Sequence, residues 1–207
     1  MSFLLKNQSS EKLYECLSPL GVSLPLARKI QASALKKNEW LKYGSGVPRN
    51  IMEKVYANAV IPNLVQIEKI ESSVDKFARY VFQGNGEEYF EAVRIPLFHR
   101  SEDLKYIVCV SSQVGCAMGC DFCCTGKMGF IRQLETWEIV DQVMKIAEDS
   151  THPVKGVVFM GMGEPFLNYD SVIHAAQVIS EPCGMAISAK AITISTSGVV
   201  PGIKRFV

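Results

Sequence analysis

Four of the seven cysteines in this 207-residue chain, Cys116, Cys120, Cys123 and Cys124, fall within nine residues, and no other feature limits the fold so strongly. The first three spell C-x3-C-x2-C in Gly115-Cys116-Ala117-Met118-Gly119-Cys120-Asp121-Phe122-Cys123. An odd total with this clustering fits a secreted disulfide framework poorly. In a reducing compartment such a cluster binds metal or does redox chemistry. Three thiolates at this spacing can take three corners of a [4Fe–4S] cube, whose irons favour thiolate, and leave the fourth iron open to a small molecule. The competing reading is a zinc knuckle, but zinc wants a closed set of four ligands, usually with a second Cys or His pair downstream. His152 and His174 do not supply that spacing. Inert buried cysteines are the third reading, and Cys124, next to the third thiol, reads as a bystander.

The loop hangs from a repeating pattern. Residues 106–110 read as a buried strand. Thr136 is expected to cap a helix carrying Ile139, Val140, Val143 and Ile146, and residues 156–160 form a second strand. A helix over 170–180 and a third strand over 191–194 follow. Strands alternating with helices imply a parallel sheet or barrel. The cysteines then sit at the C-terminal end of a strand, where such folds place their chemistry. Three parallel strands alone leave apolar edge uncovered, so the α/β unit reads as incomplete.

Upstream, helix signals recur at Ser9-Ser10-Glu11, stopped by Gly21, at Ser23, and after Pro48. From Val65 the pattern changes to alternation, with Gly84-Asn85-Gly86 as a turn between strands over 77–82 and 89–95. The expected division is a helical accessory domain over 1–62, a β extension over 63–101 and the α/β core over 102–207.

Composition adds exclusions. Hydrophobic residues make up 48% and charged residues 21%, a globular balance. No apolar run reaches the roughly 18 residues of a membrane span, and the apolar stretch at the start is too short for a signal peptide, so the expectation is a cytoplasmic protein without a membrane partner. The net charge of +1 gives no argument for or against nucleic acid.

Two further motifs follow strands. Gly161-Met162-Gly163-Glu164-Pro165 offers glycines that let backbone approach a ligand and a carboxylate that can pair with an ammonium. Taken alone it is equally a strand-to-helix turn. Ser195-Thr196-Ser197-Gly198 offers hydroxyls for a ribose or carboxylate, Ser195 being the first choice; the plain alternative is a Ser/Thr turn.

C-x3-C-x2-C with an aromatic before the last cysteine resembles the signature of radical-SAM enzymes. Residues 91–207 further resemble the RlmN/Cfr family of RNA adenine methyltransferases. The matching stretches are Glu91-Ala92-Val93-Arg94-Ile95-Pro96, Cys109-Val110-Ser111-Ser112-Gln113-Val114-Gly115-Cys116, Cys123-Cys124-Thr125-Gly126, Gly129-Phe130, Met160 through Pro165, and Ser195 through Gly202. Cys124 departs from the family's usual Ala or Ser.

The resemblance implies the N-terminal part of a partial (βα)6 barrel that binds a [4Fe–4S] cluster through Cys116, Cys120 and Cys123. It also implies S-adenosylmethionine (SAM) at Gly163, Glu164 and Ser195. Its implied reaction is methylation of adenine C2 in large-subunit rRNA and tRNA. One SAM methylates a protein cysteine, and a second yields the radical that activates this methyl group. Glu91 then takes a ring proton, and Cys109 releases the product through a disulfide. Read without the resemblance, Glu91 is a solvated strand residue and Cys109 a small buried hydrophobe. The methyl-carrying cysteine has no match here, Cys183-Gly184 being wrongly placed, so an inactive fragment is one expectation. An electron donor such as flavodoxin or ferredoxin and a monomeric state complete the picture. The alternatives are a Cfr-type C8 methyltransferase that confers antibiotic resistance, and a non-catalytic iron–sulfur or zinc-binding module.

Overall fold

The computed structural model describes residues 2–44, 46–97 and 104–207. The N-terminal unit opens with β1 (Phe3–Leu4), then α1 (Ser10–Leu17), α2 (Leu24–Lys37) and α3 (Arg49–Asn58), and closes with β2 (Ala59–Val60), which pairs in parallel with β1. Ser9 caps α1 by accepting the Lys12 N–H at 3.4 Å. Gly21 stops the following turn at φ +92°, a conformation that glycine adopts without strain. Ser23 sits at the N-cap of α2 as expected, but its side chain makes no cap bond; Pro25 in the first turn presets the backbone instead. The apolar faces of these helices, Leu13, Leu17, Leu26, Ile30, Met52 and Val55, close into one core.

The rest of the chain builds one mixed sheet. In chain order it contributes β3 (Val65–Glu71), β4 (Ala78–Gln83), β5 (Tyr89–Leu97), β6 (Lys105–Cys109), β7 (Gln113–Gly115), α4 (Cys124–Met128), β8 (Phe130–Gln133), α5 (Thr136–Asp149), β9 (Val154–Phe159), α6 (Tyr169–Ser180), β10 (Ile192–Ile194) and α7 (Val200–Phe206). Six of these strands form that sheet, in the order β10-β9-β6-β5-β4-β3, and β7 and β8 pair as a separate two-stranded ladder. β10, β9 and β6 run parallel, while β6-β5-β4-β3 is an antiparallel meander. The antiparallel strands are therefore hydrogen-bonded directly onto the parallel ones and share their sheet. The expected boundary between residues 101 and 102 lies outside the described residues.

Period-two alternation gives the sheet two faces. On β5, Phe90, Ala92, Arg94 and Pro96 are buried, while Tyr89, Glu91, Val93, Ile95 and Leu97 lie on the other, more open face. The buried face packs under α5 and α6, with Phe82, Phe90, Val108, Val140, Val157, Phe159 and Val172 in one core. Thr136 does not cap α5. Glu135 occupies that position, and its capping box with Glu138 satisfies backbone donors in both directions, which a threonine one residue later cannot do.

A buried ion pair fastens the two units together. Lys6 Nζ lies 2.6 Å from Asp141 Oδ1 on α5, both side chains being fully buried. The other carboxylate oxygen accepts the Leu64 N–H at 2.7 Å, and Lys6 also donates to Asn63 Oδ1 at 3.1 Å. One turn earlier, Asn7 Oδ1 accepts the Trp137 N–H at 2.7 Å. Burial pulls the Lys6 ammonium below its ordinary pKa, opposed by Asp141. Because an unpaired buried charge is costly, Asp141→Ala is expected to lower unfolding stability by about 3–5 kcal/mol, against under 1 kcal/mol for Glu53→Ala in the exposed Arg49–Glu53 pair, as measured by urea denaturation.

Candidate active site at the edge of the parallel strands

The register sets which residues meet. Val93, Cys109, Val158 and Thr193 are successive cross-strand partners on β5, β6, β9 and β10. Since β6, β9 and β10 point the same way, the loops after them emerge at one edge. These loops carry Cys116, Gly163-Glu164 and Ser195 respectively. β5 runs oppositely, so its beginning lies at that edge too. There the Ser111 hydroxyl, just past the end of β6, donates to the Glu91 carbonyl. The sheet thus brings the strands and loops of all the sequence-nominated residues to one side of the molecule.

The cysteines occupy a loop whose neck is the β7–β8 ladder. The Cys116 N–H donates to Gly129 O at 2.9 Å, and a Cβ on Gly115 (φ +71°) would come within 1.9 Å of that same oxygen. Within the loop, Gly126 packs on the Cys120 backbone so closely that a Cβ would meet its N and O at 2.9 and 3.0 Å. Cys123 is the N-cap of α4, and the Gly126 N–H, followed by that of Thr125, draws its thiol below the ordinary pKa. Cys116 Sγ accepts the Met118 N–H at 3.5 Å. All three thiols are free and half-buried, while Cys124 is exposed. Among the described residues, no three Cys, His, Asp or Glu side chains converge on a single-ion site. A cube offers a separate iron to each thiolate and does not require that convergence. Free thiols on one loop, with backbone donors favouring the anion at Cys123, fit such a cluster.

The loop is tied to the body by a buried carboxylate. Glu138, fully buried, accepts both Arg132 Nη atoms at 2.9 Å, the Asn85 N–H at 2.9 Å and the Glu135 N–H at 2.8 Å. Arg132 belongs to β8, whose Phe130 and Ile131 are exposed, so this bidentate pair is a main attachment of the loop's return limb. A Cβ on Gly84 would strike Glu138 Oε1 at 1.9 Å. That approach explains the glycine, and the 84–88 connection is longer than the tight turn expected there.

The second and third loops are joined by another buried carboxylate. Glu164 is 4% exposed and accepts the Phe166 N–H (2.9 Å), the Thr196 hydroxyl (2.7 Å), and the Ser197 N–H (2.8 Å) and hydroxyl (2.7 Å). Burial alone would raise its pKa, but these donors, Ser197 foremost, hold it below the ordinary value. Four donors fill about all the lone-pair sites of a carboxylate, so an incoming ammonium must displace or share one of them. Gly163 (φ +100°) leans on Gln113, where a Cβ would meet the Gln113 side chain at 2.5 Å. Gln113 in turn accepts the Glu164 N–H at 2.8 Å and donates to Gln133 at 2.9 Å. Ser195 stands exposed just past β10.

Glu91 and Cys109 lie on the more open face. The Glu91 carboxylate pairs with Arg79 Nη1 at 2.9 Å, and Arg79 also reaches Glu68 at 3.1 Å. Cys109 is 9% exposed, and burial pushes its thiol pKa up. None of the seven cysteines is in a disulfide. Sequence reasoning missed Gln113, Arg132 and Glu138, and read the Thr196 and Ser197 hydroxyls as ligand contacts without their bonds to Glu164. Glu138 carried a signal, as the second member of a Glu-x-x-Glu capping box, while Gln113 acts through contacts distant in sequence.

The profile of the Radical SAM superfamily matches residues 110–206. A probable RNA methyltransferase of Myxococcus xanthus is 45% identical across 98% of this chain and 56% of its own length. The dual-specificity RNA methyltransferase RlmN of Syntrophobacter fumaroxidans is 48% identical across 68% of this chain and 40% of its own. Residues 110–206 thus match the radical SAM superfamily, and the chain is similar to methyltransferases named RlmN. A crystal structure of a radical SAM methyltransferase from Sphaerobacter thermophilus superposes with a TM-score of 0.82 at 31% identity, over 99% of this chain and 60% of that one. The chain spans about half the length of the curated relatives it matches.

Two outcomes follow for this edge. A carboxylate with a lowered pKa contributes stability in full above its ordinary value of 4.5 and loses it as pH falls through the lowered value. Glu164→Gln should therefore cost about 1–3 kcal/mol near pH 7 and progressively less as the pH falls below 4.5, read from urea unfolding across that range. Arg132→Met leaves Glu138 buried without its partner, and should cost about 1–3 kcal/mol while speeding amide exchange across residues 116–129 well beyond that of β9.

Proposed function

We propose that this chain is the cluster- and SAM-binding part of an RlmN-type methyltransferase that modifies C2 of adenine in large-subunit rRNA and in tRNA. The observation that carries the reading is the shared edge, where the C-x3-C-x2-C loop, the Gly163-Glu164 turn, the Ser195 loop and the start of β5 meet. In this reading residues 1–62 are an accessory domain, 63–101 a β extension, and 102–207 the opening βα units of a partial barrel.

Cys116, Cys120 and Cys123 would hold a [4Fe–4S] cluster, and Gly163, Glu164 and Ser195 would contact SAM. When bound, that pair supplies a carbon-centred radical by one-electron cleavage of SAM, a chemistry suited to ring carbons that resist polar methyl transfer. The chain's own residues position and shield. Gln113 fixes the Gly163–Glu164 peptide against the cysteine loop, and Glu164 holds the Ser195 loop through Thr196 and Ser197. In this reading Glu91, which pairs with Arg79, accepts a ring proton, and Cys109 is the thiol that resolves a protein–RNA adduct. The methyl-carrying cysteine has no counterpart among these residues, so complete turnover calls for residues beyond those that match. An electron donor of the flavodoxin or ferredoxin class, a monomeric state and a cytoplasmic setting belong to the same proposal; no helix among the described residues is long and apolar enough to cross a membrane.

Anaerobic reconstitution tests the reading. The expected result is about four irons per chain with a broad visible absorption, lost in Cys120→Ala and retained in Cys124→Ala. Stoichiometric zinc with no colour would falsify it. Mass spectrometry of RNA digests from cells with and without the parent gene then separates 2-methyladenine from the 8-methyladenine of a Cfr-type enzyme.

A further inference from the structure

The N-terminal unit holds a recess of about 450 Å³ at the junction of α2, α3 and the segment after β2, apart from the edge residues. Its aromatic wall is Trp40 and Tyr56, whose rings meet edge to face at 4.9 Å. Tyr43 extends this group, 5.7 Å from Tyr56, and is about half exposed at 47%. Cations stand around it. The Lys42 side chain is 86% exposed, and the Arg49 guanidinium lies 5.7 Å above the Tyr43 ring. Nearby α2 is basic along its length, with Arg28, Lys29, Lys36 and Lys37 and no acidic residue.

The polar groups lining the recess separate into committed and uncommitted. The Tyr56 hydroxyl donates to Leu41 O at 2.7 Å. Asn63 accepts from Lys6 and donates to Ile61 O at 3.1 Å. Glu39 lies 3.8 Å from Lys42, an exposed pair that costs little to part. Asn38 is different. It ends α2 in the left-handed region (φ +54°), and its amide oxygen is buried with no donor. A small turn of that side chain toward a donor in the recess would satisfy it.

Aromatic rings, an amide with an unmet acceptor and cations at the rim suit a flat, hydrogen-bonding, phosphate-linked ligand. A purely acidic partner would leave the rings idle, and an apolar one would leave the cations and Asn38 unused. We propose that this recess docks one unpaired nucleotide of an RNA chain, with its base against Trp40 and Tyr56, a base N–H toward Asn38, and its phosphate toward Lys42 and Arg49. The proposal rests on the reading that the substrate is RNA, and adds a second point of attachment outside the edge where the chemistry is placed.

The chain has two tryptophans, and Trp137 is 6% exposed beneath the first residues of the chain, so emission that responds to a ligand in this recess reports Trp40. The probe is a single-stranded RNA of about eight nucleotides, set against an abasic ribose-phosphate oligomer of equal length and against duplex RNA. The single strand is expected to quench emission saturably and the abasic oligomer not to, with Trp40→Phe abolishing the signal and Lys42→Ala weakening binding about fivefold. Filter retention on the same samples separates the two claims. RNA retained without quenching, or quenching equal with the abasic oligomer, overturns the docking site and leaves the RNA reading intact. No retention of any RNA overturns both. Should Trp40→Phe lose its fold by circular dichroism, Tyr43→Leu serves in its place, and unchanged affinity there also overturns the proposal.

Discussion

An ionised carboxylate can be buried only where enough donors replace its water, and two such groups hold this architecture to its shape. Glu164 gathers four donors and Glu138 gathers four. Each ties together segments far apart in the chain. Glu164 binds the loop after β9 to the loop after β10, and Glu138 binds the start of α5 to β8 and to the β4–β5 connection. Take away either charge and several backbone and side-chain donors lose their acceptor at once, so the loops would part as a group.

The glycines of the edge follow from the same crowding. Gly84 yields to Glu138, Gly163 to Gln113 and Gly115 to the carbonyl of Gly129, and at each of these positions a Cβ would fall under 2.6 Å from its neighbour. The sheet brings the loops to one side, the carboxylates bind them, and the glycines let them close. That order of cause leaves the three thiols on a loop that is firm at its neck and open at its tip, where Phe122 is 91% exposed. Such a loop has a defined base and a surface free to meet a bound group.

Much of this was legible in the chain itself because the signals were local. C-x3-C-x2-C is a spacing, strand periodicity is a repeat of two, and Gly-x-Gly-Glu-Pro is contiguous. The position of Glu91 and Cys109 on one face follows from parity along β5 and β6. What stayed hidden depends on pairs remote in sequence. Nothing near Glu164 announces that Thr196 and Ser197 will occupy its oxygens, so a carboxylate read as facing a ligand turns out to be engaged within the protein. Thr136 was a reasonable cap by type, but Glu135 prevailed because Glu138 could answer it. The union of the antiparallel and parallel strands was missed for a similar reason: period-two alternation marks strands, while sheet membership is set by the β5–β6 pairing.

That pairing has a consequence for how the chain can be divided. Because β5 runs against β6, the carboxylate near its start lies at the same edge as the cysteine loop, whereas the loops after β9 and β10 reach that edge through the crossover helices α5 and α6. A recombined or trimmed gene that kept the parallel strands alone would inherit the thiols, glycines and hydroxyls, and leave Glu91 behind with its guanidinium partner. In the proposed function the meander is thus inseparable from the parallel strands, even though the two differ in strand direction, and the smallest module that keeps this edge begins no later than the strand that carries Arg79.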